Sequence, residues 1–273
     1  MPAILLYGAA FLLYAALAFH FWRTRWRGSN APRIARWERT AVLAPIALHT
    51  WLVYDMLMTP QELRFGFGHA LSMMMWLAVI IYWVESRFLE LEGMQAPVLA
   101  LAAVCVPLPA LFPGLASPSS AHSTELRLHL VLAMIAYGMF TIAALHALLM
   151  TLMERRLHGG ALAGPLAALP PLLTMERLLF RVIFVGFAFL TLTLVTGIAF
   201  SETLFGRAMK FDHKSVFAIA SWFIFAALLA GRHFYGWRGR KALRWTLAGF
   251  LALLLAYVGS RFVLEVILRR GLV

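Results

Sequence analysis

Apolar runs of about twenty residues alternate with short polar connections along the whole chain. A helix that rises roughly 1.5 Å per residue needs about 20 residues to cross the hydrocarbon core of a bilayer. The pattern therefore predicts about eight transmembrane helices, over residues 3–22, 40–58, 66–85, 96–113, 128–153, 178–201, 214–231 and 245–267. The fourth run holds four prolines, so we expect its helix to be kinked, short or partly interfacial. The expected fold is an all-α, polytopic integral membrane bundle that forms one domain over residues 1–273.

The distribution of basic residues predicts the orientation of this bundle. Sixteen Lys and Arg residues fall in the connections after the first, third, fifth and seventh runs, against seven on the other side. Basic residues favour the cytoplasmic side, so we expect both termini outside. The arginines of the amino-terminal run follow it, at Arg23, Arg25 and Arg27. A cleaved signal peptide carries its charge first, so we interpret this run as a retained helix.

Composition narrows the functional class. The chain is 62% hydrophobic and 13% charged, which is typical of helical membrane proteins and not of soluble domains. The net charge of +12 lies in short connections, where it favours lipid headgroups over nucleic acid. A single cysteine, Cys105, excludes an intramolecular disulfide, CxxC redox chemistry and covalent haem attachment through CxxCH. The sequence has no nucleophile elbow, Walker loop or HExxH helix, and so gives no indication of hydrolysis.

Two histidines begin predicted helices at the same, outer membrane face: His129 at the start of the fifth run and His213 just before the seventh. Imidazoles at one depth on two helices can ligate a single haem iron from opposite sides. Arg207, Lys210 and Lys214 lie near His213 and could pair with haem propionates, as could the amino-terminal end of the helix. The alternative is that both histidines simply face water or headgroups, and the pattern leaves the two interpretations open.

The remaining histidines are weaker candidates. His49 lies near the middle of the second run, where an imidazole predicts an internal ligand or relay, or else a hydrogen bond to a neighbouring helix. His69 is the reserve partner for His129. His146 lies among alanines, which favours close helix packing, and His233 lies among aromatic and basic residues typical of an interfacial anchor.

Several stretches carry a family resemblance. They are LHLVLAMIAYG (128–138), LLTMERLLFRVIFVGFAFLTLTLVTGIAF (172–200), FDHKSVFAIASWFIFAALLAGRHFYGWRGR (211–240) and AYVGSR (256–261). In this order they resemble the cytochrome c assembly family of membrane haem-handling proteins, in its bacterial inner-membrane subgroup. The resemblance covers about residues 126–267, and the first third of the chain matches only loosely.

The resemblance implies roles for individual residues. His129, followed by Ala136 and Tyr137, occupies the position of the outer-face histidine that ligates haem in the family. Asp212 and Lys214 match parts of the family's tryptophan-rich outer loop, which cradles the haem.

This chain also departs from the family pattern. The tryptophans of that outer loop are absent, and His213 replaces a proline of the loop. A transmembrane histidine of the family falls on Ala230, with His233 nearly one turn further on. A second outer histidine after the last helix is absent, so His213 is the expected replacement ligand.

The predicted function is a haem-binding or haem-delivering protein of the bacterial inner membrane, implicated in cytochrome c assembly. It would hold haem b without a covalent bond and without turnover chemistry of its own. Its other expected partners are the lipid bilayer and a second membrane protein or an apocytochrome. The alternative is a non-haem structural or regulatory subunit that retains the family fold. A transporter is less favoured because inverted repeats are not evident.

Overall fold

The computed structural model describes residues 2–26, 35–58, 65–88, 91, 93–114, 124–158, 171–205 and 212–268. All regular structure in these ranges is helical. The helices are α1 (Pro2–Phe21, continued by a π-helical turn at Trp22–Trp26), α2 (Arg36–Ala41), α3 (Leu43–Met58), α4 (Phe67–Glu85), α5 (Gln95–Cys105), α6 (Leu108–Leu111), α7 (Thr124–His158), α8 (Leu172–Phe205), α9 (His213–Tyr235) and α10 (Gly239–Leu254). The chain stays helical after α10, with π-helical turns at Leu255–Gly259 and Val263–Ile267 on either side of α11 (Ser260–Phe262).

Seven helical segments of the described chain are long and apolar enough to span a membrane. The fourth predicted run, expected to be kinked, short or partly interfacial, is Gln95–Leu111, a shorter apolar segment that is interrupted before Pro107. It nevertheless runs back along α4. Near its start, the Trp26 indole donates to the carbonyl of Gly93, and at its end the rings of Phe67 and Phe112 lie 4.9 Å apart.

The chain thus passes along the bundle eight times, and residues 2 and 268 lie at the same end. We call this the terminal end. It also holds the start of α4. The starts of α7 and α9 and the second half of α8 line one cavity at this end, together with Phe65, the last turn of α10 and the helix that follows it. The opposite, basic end carries most of the described arginines, including Arg177 and Arg232. Its charge predicts that the basic end is cytoplasmic.

A reporter fused after Val273 tests this orientation. We expect an alkaline phosphatase fusion, which is active only outside the cytoplasm, to be active, because basic connections are retained on the cytoplasmic side. A green fluorescent protein fusion at the same position is the matched control and should be dark. A fluorescent fusion with an inactive phosphatase would reverse the orientation.

Helix α7 is central, since it packs against α4, α8 and α10. Phe140 on α7 stacks on Phe225 of α9 with ring centroids 3.8 Å apart. Gly249 of α10 lets that aromatic pair approach, because a Cβ there would lie 2.8 Å from the Phe225 ring. Small residues at such contacts allow helix backbones to pack closely in membranes.

A buried ion pair fixes the start of the chain against α2. Arg25 is 1% exposed, and its Nη2 lies 2.6 Å from Oε2 of Glu38. The other oxygen of Glu38 lies 2.8 Å from Nε2 of His20, and the amide of Ala35 donates to Oε2. These contacts satisfy a carboxylate that would otherwise be costly to bury.

Candidate functional site

A cavity of about 420 Å³ lies at the terminal end. We call it the histidine cavity. Its walls come from α7, α8, α9 and the helix that follows α10, and they are mainly apolar. Its polar lining residues are His129, Tyr137, Thr193, Asp212, Lys214, Ser215, Tyr257 and Arg261. The size and the few convergent polar groups are typical of a small-molecule site.

His129 is held in one tautomer. Its Nδ1 lies 3.0 Å from the hydroxyl of Thr196, and that hydroxyl donates its own proton to the carbonyl of Leu192, 2.8 Å away. When this hydroxyl donates its single hydrogen to that carbonyl, Nδ1–H of His129 is the donor to Thr196. Nε2 then carries the lone pair, as an imidazole that ligates a metal requires. Gly197 leaves room for the ring, since a Cβ there would lie 3.2 Å from its Cε1.

Two cationic side chains line the same cavity. Lys214 lies in the first turn of α9 and is half-buried, and Arg261 lies in the short α11. Within the described ranges, Nε and Nη1 of Arg261 are buried and have no hydrogen-bond acceptor. Buried guanidinium N–H groups are normally paired, so this orphaned pair of donors favours an anionic ligand.

Asp212 and Tyr137 line the cavity but already have structural partners. Asp212 is the N-cap of α9, and its Oδ1 accepts from the amide and the hydroxyl of Ser215, each at 3.0 Å. The hydroxyl of Tyr137 donates to the carbonyl of Leu253 at 2.7 Å and so ties α7 to α10. Both residues shape the cavity, and Arg261 also interacts with Tyr257 and Glu265.

His213 lies outside the lining of the histidine cavity, and its side chain is exposed. The cavity face of α9 consists of Lys214, Ser215, Ala218 and Ile219. The structure therefore does not bring His129 and His213 together at this cavity, and their pairing on one iron stays a prediction. Arg207 and Lys210 lie outside the described residues.

His69, the reserve partner, is buried beside the cavity but does not line it. The amide of Gly66 donates to its Nδ1 at 3.4 Å, so Nε2 carries the proton in the neutral ring. This tautomer is the opposite of that of His129 and offers no Nε2 lone pair.

His49 connects three helices. It is 0% exposed, and its ring nitrogens are hydrogen-bonded to Tyr14 of α1 at 3.3 Å and to Ser72 of α4 at 2.9 Å. Both nitrogens are occupied and neither faces the histidine cavity lining. The geometry favours the structural interpretation of His49 over the internal ligand or relay.

Replacing His49 with Ala tests that interpretation. We expect the free energy of unfolding to fall by about 1–2 kcal/mol, because the hydroxyls of Tyr14 and Ser72 lose a partner. The absorption spectrum of any bound haem should stay unchanged. Thermal unfolding and visible spectra of the same samples provide the measurement. An altered haem spectrum would indicate that His49 acts as an internal ligand or relay.

His233 and His146 lie far from the histidine cavity. His233 is exposed at the basic end, where its ring contacts Phe234 with centroids 4.8 Å apart. That position agrees with the interpretation of His233 as an interfacial anchor. His233 is therefore not a candidate ligand in the histidine cavity. His146 is buried in α7, where its Nε2 lies 3.6 Å from Oε2 of Glu85 of α4. Glu85 is buried as well, although it is the last residue of its helix.

Among the described residues, no group of three or more His, Cys, Asp or Glu side chains could hold a metal ion. Sequence reasoning missed Arg261, which it placed inside the last apolar run, and Thr196, which sets the tautomer of His129. A basic residue in an otherwise apolar run was the available signal for Arg261. No comparable signal marks Thr196.

The cytochrome C assembly protein family matches residues 39–268, which is most of the chain. The chain belongs to this family. The match includes every wall of the histidine cavity and extends well into the first third, which looked only loosely related in the sequence.

Individual relatives cover less of the chain. The "Inner membrane protein YpjD" of Escherichia coli K12 is 38% identical over 139 residues, which are 51% of this chain and 52% of the relative. An "Uncharacterized 28.8 kDa protein" of Azospirillum brasilense is 34% identical over 141 residues, 52% of each chain. A "Cytochrome c biogenesis protein CcsA" of Prochlorococcus marinus is 36% identical over 88 residues, 32% of this chain and 28% of the relative. The chain thus spans about half the length, or less, of these relatives.

Proposed function

We propose that this protein handles haem in the inner membrane during cytochrome c assembly, and that the histidine cavity holds the haem without a covalent bond. The observation that carries the proposal is His129, whose Nδ1–H is tied to Thr196 so that Nε2 has a free lone pair in a cavity wall. The family supports the assignment, as does the name of the relative from Prochlorococcus.

The residues present fit haem in three respects. Haem needs an imidazole nitrogen for its iron, apolar walls for the porphyrin and cations for its propionates. His129 supplies the first, and side chains such as Leu130, Met134 and Leu190 supply the second. Lys214 and Arg261 supply the third, and the orphaned donors of Arg261 would then be paired.

Each side chain has a separate task in this proposal. The bound group supplies the redox-active iron, while His129 orients it and Thr196 fixes the imidazole. Lys214 and Arg261 would pair with the propionates, so the propionate edge of the haem would face the terminal end. The protein then holds and passes on its ligand without turning over a substrate, with a second membrane protein or an apocytochrome as the recipient.

Titration of the purified protein with haem and with haem dimethyl ester tests the proposal. The ester has the same porphyrin and iron but no carboxylates. We expect the wild-type protein to bind haem about tenfold more tightly than the ester, since charge-assisted hydrogen bonds contribute roughly 1.5–3 kcal/mol. Arg261→Gln and Lys214→Gln should each reduce this preference, because each removes a propionate partner.

Arg244→Gln is the matched control. It removes an exposed positive charge at the basic end, on the helix α10, and should leave the preference unchanged. Equal affinity of the wild-type protein for haem and its ester would contradict the propionate assignment. Failure to bind either ligand would favour a non-haem structural or regulatory subunit.

A further inference from the structure

A second cavity, of about 560 Å³, lies at the basic end between the end of α4 and the first turns of α8. We call it the glutamate cavity, because Glu85 lines it together with Arg177, Arg181 and mainly apolar side chains. Val84 and Phe88 also line it, and they are 45% and 81% exposed on the surface of the bundle. The cavity is therefore open sideways, toward the surface that faces lipid.

Glu85 is the residue that points to a ligand. It is 8% exposed, and within the described part of the chain neither of its carboxylate oxygens has a hydrogen-bond donor. Its Oε2 lies 3.6 Å from Nε2 of His146. Nδ1 of His146 lies 3.0 Å from the carbonyl of Ile142, which can only accept, so Nδ1 holds the proton and Nε2 presents a lone pair.

Within the described residues, a proton on this pair is the only hydrogen that Oε2 of Glu85 and Nε2 of His146 could share, and Oε1 of Glu85 has no donor at all. An unsatisfied carboxylate in a largely apolar site is costly. A ligand that brings several N–H donors and a positive charge would remove this cost. The glutamate cavity is thus complementary to an ammonium group at its Glu85 side.

Two arginines in the same lining are complementary to an anion. Arg177 and Arg181 lie four residues apart on α8, so they share one face of the helix, and both line the cavity. Guanidinium groups bind phosphate through paired, charge-assisted hydrogen bonds. Both arginines are also exposed, so their guanidinium groups can reach the headgroup layer.

The depth of these groups fits a lipid headgroup. Glu85 is the last residue of α4, and Arg177 and Arg181 lie in the first three turns of α8. Apolar lining residues such as Ile81, Val182 and Val185 continue from there toward the middle of the bundle. A polar head at the helix ends with apolar walls beneath it matches the shape of a phospholipid.

We propose that the glutamate cavity binds a zwitterionic phospholipid with a primary amine, the phosphate on Arg177 and Arg181 and the ammonium on Glu85. The acyl chains then lie along the apolar lining. This site is separate from the histidine cavity at the other end of the bundle, so it does not depend on haem binding.

Native mass spectrometry of the delipidated full chain tests the site. The protein is offered equimolar phosphatidylethanolamine, phosphatidylglycerol and phosphatidylcholine. We expect the wild-type protein to retain the ethanolamine lipid at least about threefold over each of the others, the effect of one partly exposed ion pair. Phosphatidylcholine has the same net charge but no N–H, so this comparison needs no variant.

Variants separate the two halves of the site. Glu85→Gln should abolish the preference for the amine, while Arg177→Gln combined with Arg181→Gln should lower retention of all three lipids. Glu154→Gln, an acid at the same end that pairs with Arg240 outside this cavity, is the matched control and should keep the preference. Equal retention of the three lipids by the wild-type protein, or a preference that survives Glu85→Gln, would overturn the proposal.

Discussion

Replacing His129 with Ala abolishes stoichiometric haem binding and weakens the residual affinity by well over tenfold. The reason is that His129 supplies the only imidazole in the described lining of the histidine cavity. Even residues that merely orient a metal ligand contribute about 10–100-fold to affinity. Haem titration of the purified variant, followed by absorption, measures the loss.

Two further substitutions separate ligation from general effects on the fold. Thr196→Val keeps the shape of the side chain and removes the hydroxyl that holds Nδ1 of His129. We expect it to weaken haem binding by about tenfold and to leave folding intact. His233→Ala removes an exposed histidine at the basic end and should leave the affinity unchanged. Full haem affinity in the His129→Ala protein would exclude His129 as the ligand.

Replacing Glu38 with Gln lowers the free energy of unfolding by about 3–5 kcal/mol. The substitution leaves the Arg25 guanidinium buried without its negative partner, and breaking a buried pair in this way is strongly destabilising. His20 and the amide of Ala35 lose a charged acceptor in the same step. Thermal or denaturant unfolding of the purified protein in detergent measures the change.

The double variant Arg25→Met with Glu38→Gln should recover part of that loss, because it removes the uncompensated charge. Glu125→Gln is the matched control, since Glu125 is an exposed acid in the first turn of α7. A loss below about 1 kcal/mol in Glu38→Gln would indicate that the pair behaves like an exposed surface ion pair.

The hydrophobic pattern predicts the helices well because the membrane core sets their minimum length. The predicted run at 66–85 compares with α4 at Phe67–Glu85. The run at 178–201 compares with a longer helix, Leu172–Phe205. The difference arises because an apolar run measures the hydrocarbon core, whereas a helix continues into the headgroup region through polar residues such as Glu176.

The candidate site shows what the pattern cannot supply. Sequence position gives the depth of a side chain along a helix but not the direction in which it points. His213 and Lys214 have almost the same depth, yet they are rotated by about 100° around α9, and only Lys214 lines the cavity. His129, which the family resemblance singled out, lies in the cavity wall, but a partner for it could not be found from depth alone.

Polar contacts between distant residues were equally inaccessible to the sequence. Arg25 and Glu38, or Glu85 and His146, meet because helices pack side by side, and no spacing rule connects them. Thr196 is one of many hydroxyls in α8, and its importance depends on a hydrogen bond across to α7. Such contacts require the packed bundle.

The visible absorption spectrum of the wild-type protein, purified from haem-replete cells, tests the central claim most directly. The proposed site predicts a Soret band that shifts on reduction, at a haem content stoichiometric with the protein. The same preparation of the His129→Ala protein should lack this band. A colourless wild-type protein from such cells would contradict haem binding and would favour a structural or regulatory subunit.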